Sequence, residues 1–106
     1  MRPREEHWMG YLTGKICREG DWYTATCDSL PVTSQGRTDG EAIANLIEAT
    51  QLFIESSLAR GTFEQILLKY HWKPFARPPQ EFEPRGFAIP VPLPQVVRRQ
   101  LEGCPA

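Results

Sequence analysis

The stretch FAIPVPLPQVV, Phe87–Val97, places a proline at every second position from Pro90 to Pro94. Alternate residues of a strand direct their backbone N–H to the same edge, so these prolines remove hydrogen-bond donors from one edge only. The intervening residues, such as Val91, keep their donors for a neighbouring strand. The stretch is therefore predicted to be an edge strand that is blunted against further pairing. A polyproline II ligand or linker is the alternative, because proline-rich segments also favour that conformation.

An alternating pattern typical of strands covers 8–36, and Gly20-Asp21 has the composition of a two-residue hairpin turn. This turn predicts a register that opposes Ile16 with Ala25. A third short strand is predicted at 32–35. One face of the hairpin is expected to face the core, with Leu12, Gly14, Ile16, Tyr23, Ala25 and Cys27. The wetter face is expected to hold Thr13, Lys15, Cys17, Trp22, Thr24 and Thr26.

The segment TDGEAIANLIEATQLFIESSLARG, Thr38–Gly61, predicts a helix of about five turns. Thr38 and Glu41 form a capping box, and Gly61 stands where a helix C-terminus is expected. At 100° per residue one stripe faces the sheet, with Ile43, Leu46, Ile47, Thr50, Phe53, Ile54, Ser57 and Leu58. Three glutamates recur every seven residues on the opposite side: Glu41, Glu48 and Glu55.

A second, shorter helix is predicted within Gly61–Trp72, with Thr62 and Gln65 repeating the capping pattern and Pro74 ending it. The next segment, 73–85, contains four prolines and is expected to be an irregular connection. The predicted fold is thus α+β in the order β-β-β-α-α-β. It combines a three-stranded antiparallel meander, two helices on one face and the proline-blunted edge strand. The domain is predicted at 8–94, with a tail at 1–7 and a short helix or tail at 95–106.

Composition indicates one globular domain. The chain has 106 residues, 41% hydrophobic and 24% charged, with a net charge of −1. Such a charge argues against a dedicated nucleic-acid or membrane-surface binder. No run is long and apolar enough for a membrane span or signal peptide, so a cytoplasmic location is expected. The three cysteines, Cys17, Cys27 and Cys104, lack metal-ligand spacing and are expected to be free thiols.

Several short motifs stand in a fixed order along 11–72. They are Tyr23-Thr24-Ala25, Leu30-Pro31, Gly36-Arg37-Thr38, Glu41-Ala42 and Asn45-Leu46 with Glu48-Ala49. This order resembles the HicB antitoxin family, in which a Y-x-A hairpin leads through a Leu-Pro turn and a G-x-T cap into an E-A-x-x-N-L-x-E-A helix. The chain departs from the family at Asp28, where proline is common, and at Val32-Thr33, where Gly-Cys is common. A changed loop is the expected consequence.

The resemblance implies a partial ribonuclease-H-like fold that binds and neutralises a small basic toxin, HicA, which cleaves messenger RNA with a histidine. The glutamates of the long helix would complement such a partner, although glutamates on an outer helix face are also ordinary solvation. The candidate partner-binding residues are Glu41, Asn45, Glu48, Leu52, Glu55 and Trp22. An orphan HicB-like domain that self-assembles as a structural or regulatory module is the alternative function.

Catalysis is not expected. A ribonuclease-H site needs carboxylates that converge from strands to hold two metal ions, and the first predicted strand contains none between Trp8 and Arg18. His71 lies at a helix end, where packing or the helix dipole accounts for it. Cys27 is expected to be buried and without a base. We therefore expect no catalytic residue, metal or cofactor.

Two further expectations concern assembly and DNA. Trp22 on the wetter sheet face and Leu52 on the long helix are large apolar groups at exposed positions, so a homodimer or higher homo-oligomer that uses that sheet face or the long helix is expected. Antitoxins of the resembled family often carry a C-terminal DNA-binding segment. The residues after Ile89 resemble only the strand and first helix of a ribbon-helix-helix, and three residues follow Gly103. We therefore expect no tight DNA binding by this chain alone.

Overall fold

A four-stranded antiparallel sheet, covered on one face by helices, forms the protein. The computed structural model describes residues 7–74 and 85–94. The elements are β1 His7–Glu19, β2 Trp22–Cys27, β3 Thr33–Gly36, α1 Asp39–Arg60, α2 Phe63–Tyr70 and β4 Gly86–Pro94. The strand order is β3-β2-β1-β4. The predicted α+β fold and its element order are confirmed.

The β1–β2 hairpin has the predicted register, with Ile16 opposite Ala25. Gly20, the first residue of the turn, has a φ of 62°, which glycine adopts without steric cost. Burial alternates as expected along both strands, since Leu12 and Ala25 are buried whereas Cys17 is exposed. The two faces of the sheet therefore differ in the predicted way, and one of them forms the core.

Strand β4 lies at the sheet edge and pairs only with β1, as the proline pattern predicts. The Ile16 N–H donates to the Arg85 carbonyl at 3.1 Å. Every second residue from Arg85 directs its backbone N–H and C=O groups toward β1, and Val91 is one of them. Pro90 and Pro92 face the free edge, where each lacks a backbone donor. Val91 is 1% exposed. The polyproline alternative is wrong for this segment, which is a paired strand.

Helix α1 begins and ends at the predicted residues, although only the Thr38 half of the predicted capping box is formed among the described residues. The Thr38 hydroxyl oxygen accepts from the Glu41 N–H at 3.1 Å, and Gly61 is left-handed with its N–H donating to the Leu58 carbonyl at 3.2 Å. The side toward the sheet is well buried and mostly apolar, as Leu46 and Ile54 show, with Thr50 and Ser57 as its buried polar residues. These two cap interactions fix the length of the helix that carries most of the predicted site.

Helix α2 begins directly after Thr62, the predicted N-cap residue, but it lacks the predicted side-chain cap. Thr62 makes no side-chain cap, and its hydroxyl donates to the Ser57 carbonyl at 3.4 Å. The reason is position, because Thr62 directly follows the α1 C-cap and its N–H and hydroxyl both donate to the Ser57 carbonyl of α1 instead. At the other end, α2 stops at Tyr70, and His71 takes a left-handed φ of 55°, so the helix ends before Pro74 is reached.

Two further contacts complete the core, one from Trp72 to β1 and one between β3 and α1. The Trp72 indole donates to the Tyr11 carbonyl at 3.0 Å, where β1 extends beyond the end of β2. Gly36 ends β3 so close to α1 that a Cβ built on it would lie 2.5 Å from the Ala42 nitrogen. This close approach seats the first turn of α1 directly on the end of β3.

The predicted domain limits are only partly covered. His7 already belongs to β1, so the predicted tail is one residue too long at its C-terminal end. The rest of that tail, and the predicted C-terminal helix or tail at 95–106, lie outside the described residues. Within residues 7–74 and 85–94, no helix combines the length and apolarity that crossing a membrane requires.

Candidate partner-binding surface

The exposed side of α1 carries four of the six predicted partner-binding residues: Glu41, Glu48, Leu52 and Glu55. We call these four residues the acidic face. Their spacing of seven, four and three residues places them in one row along the helix. All four are exposed, and Leu52 keeps 56% of its surface accessible. The row therefore presents one apolar side chain flanked by carboxylates.

The carboxylates of the acidic face have no partner among the described residues. Glu41, Glu48 and Glu55 form no side-chain hydrogen bond or ion pair there. Exposed charges without partners attract an oppositely charged surface at long range and direct how it approaches. The acidic face is thus available to a basic protein at no cost in internal ion pairs.

Asn45 has a structural role that the sequence interpretation missed. Its side-chain nitrogen donates to the Gln35 carbonyl at 3.0 Å, and the residue is half-buried. The Cys27 N–H donates to the Val32 carbonyl, so the backbone groups of Val32 point toward β2. These directions alternate along a strand, and the Gln35 carbonyl therefore points away from β2. Asn45 therefore uses one of its amide donors to occupy a carbonyl on the free edge of β3, a structural role in addition to the predicted one.

Gln51 does the same at the opposite edge of the sheet. Its side-chain nitrogen donates to the Pro90 carbonyl at 3.0 Å, and that carbonyl points out from β4. Together with the prolines of β4 and with Asn45 on β3, this contact occupies hydrogen-bonding groups on both sheet edges. Occupied edges resist pairing with another strand. A partner is thus expected to contact a face of the protein rather than extend its sheet.

Trp22 is separated from the acidic face by the whole thickness of the sheet. It lies on the uncovered side of the strands, here called the open sheet face, and is 44% exposed. The Arg37 guanidinium lies over its ring, 5.0 Å from the ring centroid. Met9, 46% exposed, lies on the same open sheet face. The predicted set of six residues therefore divides into two surfaces, and Trp22 belongs to the second.

The reactive side chains of the described residues are not gathered into one place. Cys27 is buried, and burial raises the pKa of its thiol, which disfavours the reactive thiolate. Cys17 is exposed on the opposite sheet face, so the two thiols are not paired. His71 is exposed at the end of α2. Residues 7–74 and 85–94 contain no group of three or more side chains that could hold a metal ion.

Comparisons with family models, with curated proteins and with solved structures gave no match for this chain. The case for a function therefore depends on the fold, the acidic face and the open sheet face.

Proposed function

We propose that this protein is a HicB-like antitoxin that binds and neutralises a small, basic, HicA-type toxin that cleaves messenger RNA. The observation that carries the proposal is the acidic face, where three glutamates that have no partner among the described residues accompany the exposed Leu52 on a helix of 22 residues. Apolar contact at the centre with charge around it is the usual anatomy of a protein interface. A basic toxin is the partner whose charge matches.

The order of motifs along the chain also supports the proposal. The Y-x-A motif lies in β2, the G-x-T motif ends β3 and caps α1, and the E-A-x-x-N-L-x-E-A pattern runs along α1. Each motif has a local structural reason, since Gly36 permits close approach and Thr38 caps the helix. The resemblance that suggested an antitoxin is therefore compatible with the physical roles of these residues.

Glu48→Lys is expected to weaken toxin binding at least about tenfold, which corresponds to about 1.4 kcal/mol. Glu48 lies in the middle of α1, away from the helix ends, so charge reversal there changes the acidic face with little effect on capping. Calorimetric titration of a catalytically inactivated HicA-type toxin into each variant measures the affinity. Raising the salt concentration should weaken binding by the wild type more than binding by Glu48→Lys. Salt screens the attraction between Glu48 and the basic toxin, and the variant no longer has that attraction.

Glu64→Lys is the matched control. Glu64 is exposed in the first turn of α2 and outside the acidic face. The same change of charge there should leave the affinity nearly unchanged. If both variants lose affinity equally, net charge rather than the acidic face governs binding, and the proposed surface is wrong.

A self-assembling module is the second candidate function, and the open sheet face favours it. Trp22 and Met9 are both close to half exposed on that face. Large apolar side chains exposed on one side of a sheet often mark a protein contact. We propose that two copies associate through the open sheet face, which leaves the acidic face free, so that the two candidate functions are compatible in one molecule.

Trp22→Ser is expected to shift the protein from dimer to monomer at micromolar concentration. Tryptophan is over-represented among residues whose truncation costs an interface about 2 kcal/mol or more. Sedimentation velocity of both proteins measures the change. Leu68→Ser is the control, because Leu68 is 77% exposed but lies on α2. A wild-type protein that remains a monomer at high micromolar concentration would rule out this assembly.

We also propose that the chain alone neither binds DNA tightly nor catalyses a reaction. Its net charge of −1 supports the first statement, because tight binding to the phosphate backbone depends largely on an excess of basic side chains. The buried Cys27 supports the second. Electrophoretic retention of its own promoter DNA at nanomolar protein would contradict the first statement.

A further inference from the structure

A cavity of about 250 Å³ opens where the β1–β2 hairpin meets the first turn of α1. It is lined by Ile16, Arg18, Tyr23, Asp39 and Arg85. By the alternation of side chains along their strands, the three hairpin residues lie on the core side of the sheet. Asp39 is the first residue of α1, and Arg85 directly precedes β4. Three separate parts of the chain thus contribute two arginines and one aspartate to the lining of the same cavity.

The two arginines are held differently. The Arg18 Nε donates to the Gly20 carbonyl at 3.1 Å, and its guanidinium lies 6.0 Å from the Tyr23 ring centroid. These contacts fix the side chain and leave its terminal nitrogens available. The Arg85 side chain has no hydrogen bond or ion pair with any described residue. Its backbone has a left-handed φ of 72°, which is uncommon for a residue with a side chain.

Three of the first four backbone N–H groups of α1 are already occupied. The Gly40 N–H donates to the Asp39 Oδ1 at 2.7 Å, and the Ala42 N–H donates to the Thr38 carbonyl at 3.1 Å. The Glu41 N–H is occupied by the Thr38 hydroxyl. The positive charges that would attract an anion to this cavity are those of Arg18 and Arg85. Asp39 has one carboxylate oxygen engaged by Gly40, and the other remains able to accept a hydrogen bond.

We propose that this cavity binds a small molecule that carries both a carboxylate and an amino group, of the class of the free α-amino acids. Guanidinium groups bind carboxylates through paired hydrogen bonds. Asp39 would accept from the ligand's ammonium group, and Ile16 with Tyr23 would contact its apolar part. The cavity is smaller than the range of about 300 to 1,000 Å³ usual for drug-sized ligands, so the ligand must be small. This site is separate from the acidic face and does not depend on the antitoxin proposal.

The test is a titration of the isotope-labelled, full-length protein with a panel of α-amino acids, followed by amide NMR signals. Acetate, methylamine and inorganic phosphate serve as partial probes. The best amino acid should shift the signals of Tyr23 and Asp39 and bind at least about tenfold more tightly than acetate or methylamine, which each satisfy only one half of the site. Phosphate binding in the absence of amino-acid binding would overturn the proposal and indicate a simple anion site.

Variants of the lining residues separate the two halves of the site. Arg85→Gln and Arg18→Gln are each expected to weaken amino-acid binding at least about tenfold, since each loses a guanidinium contact. Asp39→Asn should weaken amino-acid binding but leave acetate binding unchanged or stronger. Arg60→Gln is the control, because Arg60 lies in the last turn of α1 and should have no effect.

The proposal fails if no amino acid shifts these signals at millimolar concentration, or if Arg60→Gln weakens binding as much as Arg85→Gln. If Arg85→Gln does not fold, Arg85→Lys replaces it, because lysine keeps the charge but loses the paired donors. The wild-type titration decides the question even if neither variant folds.

Discussion

Val91→Pro should lower the free energy of unfolding by about 3 kcal/mol or more, because it removes an inward backbone donor and a buried side chain together. Val91 is opposite Gly10 of β1 and is 1% exposed. Small domains are stable by only about 5 to 15 kcal/mol, so much of the total is lost. Chemical denaturation and thermal melting measure the effect.

Pro92→Val is the matched control in the same strand. Pro92 is exposed and opposite Met9, and its missing donor faces the free edge. Valine there should leave the melting temperature nearly unchanged while restoring an outward N–H, so association through the edge should increase. A Val91→Pro protein that melts like the wild type would show that β4 does not contribute to the sheet as described.

Gly36→Ala is the second substitution with a large expected effect. A Cβ at this position would lie 2.5 Å from the Ala42 nitrogen and 2.9 Å from the Glu41 carbonyl carbon, both backbone atoms of α1. Relief would require α1 to move away from β3. Overpacking typically costs about 1 to 3 kcal/mol, and we expect the upper end because backbone cannot rotate away. Urea denaturation gives the value.

Gly40→Ala is the control for this prediction. Gly40 lies four residues away, inside α1, and a Cβ there would meet nothing within 4 Å. Alanine in a helix is favoured over glycine by about 0.5 to 1 kcal/mol, so this variant should be slightly more stable than the wild type. If Gly36→Ala were equally harmless, close packing would not be the reason for glycine in the G-x-T motif.

The parts of the fold that were predictable depend on neighbours in sequence. The Gly20-Asp21 turn sets the hairpin register, Thr38 caps α1, and the proline spacing identifies β4 as an edge strand. The same local logic predicts Thr62 as the N-cap of α2; the position is confirmed, but the Thr62 hydroxyl donates to the Ser57 carbonyl of α1 and does not cap α2.

Long-range hydrogen bonds could not be found in this way. Gln51 and Pro90 are separated by 39 positions, and Trp72 and Tyr11 by 61 positions. Nothing in the pattern distinguishes Gln51 from any other polar residue of α1. Such contacts depend on how α1 lies across the sheet, which the helical period alone does not determine.

The candidate site could also be predicted only in part, because the helical period does not determine how α1 lies across the sheet. The helical period places Glu41, Glu48, Leu52 and Glu55 in one row, and all are exposed. The helical period also suggested Asn45, but one amide donor of Asn45 is engaged by the Gln35 carbonyl on the free edge of β3. The amino-acid cavity had no signal in the sequence, because its residues come from three distant segments of the chain.

The occupied sheet edges restrict how a partner can bind. Asn45 and Gln51 hold one outward carbonyl on each edge, and the prolines of β4 remove donors from one of them. A toxin is therefore expected to contact the side chains of the acidic face. Binding of this kind should depend on salt and on Glu48, whereas strand addition would depend mainly on the backbone.

Inhibition of RNA cleavage tests the central claim most directly. The toxin is the small basic protein with a strand-borne histidine that we expect the host to encode beside this chain, and its cleavage of messenger RNA is measured as purified wild-type protein is added. We predict that cleavage stops at an equimolar ratio, and that Glu48→Lys needs a clear excess to reach the same inhibition while Glu64→Lys behaves as the wild type. Cleavage that continues unchanged in a large molar excess of the wild-type protein would contradict the account.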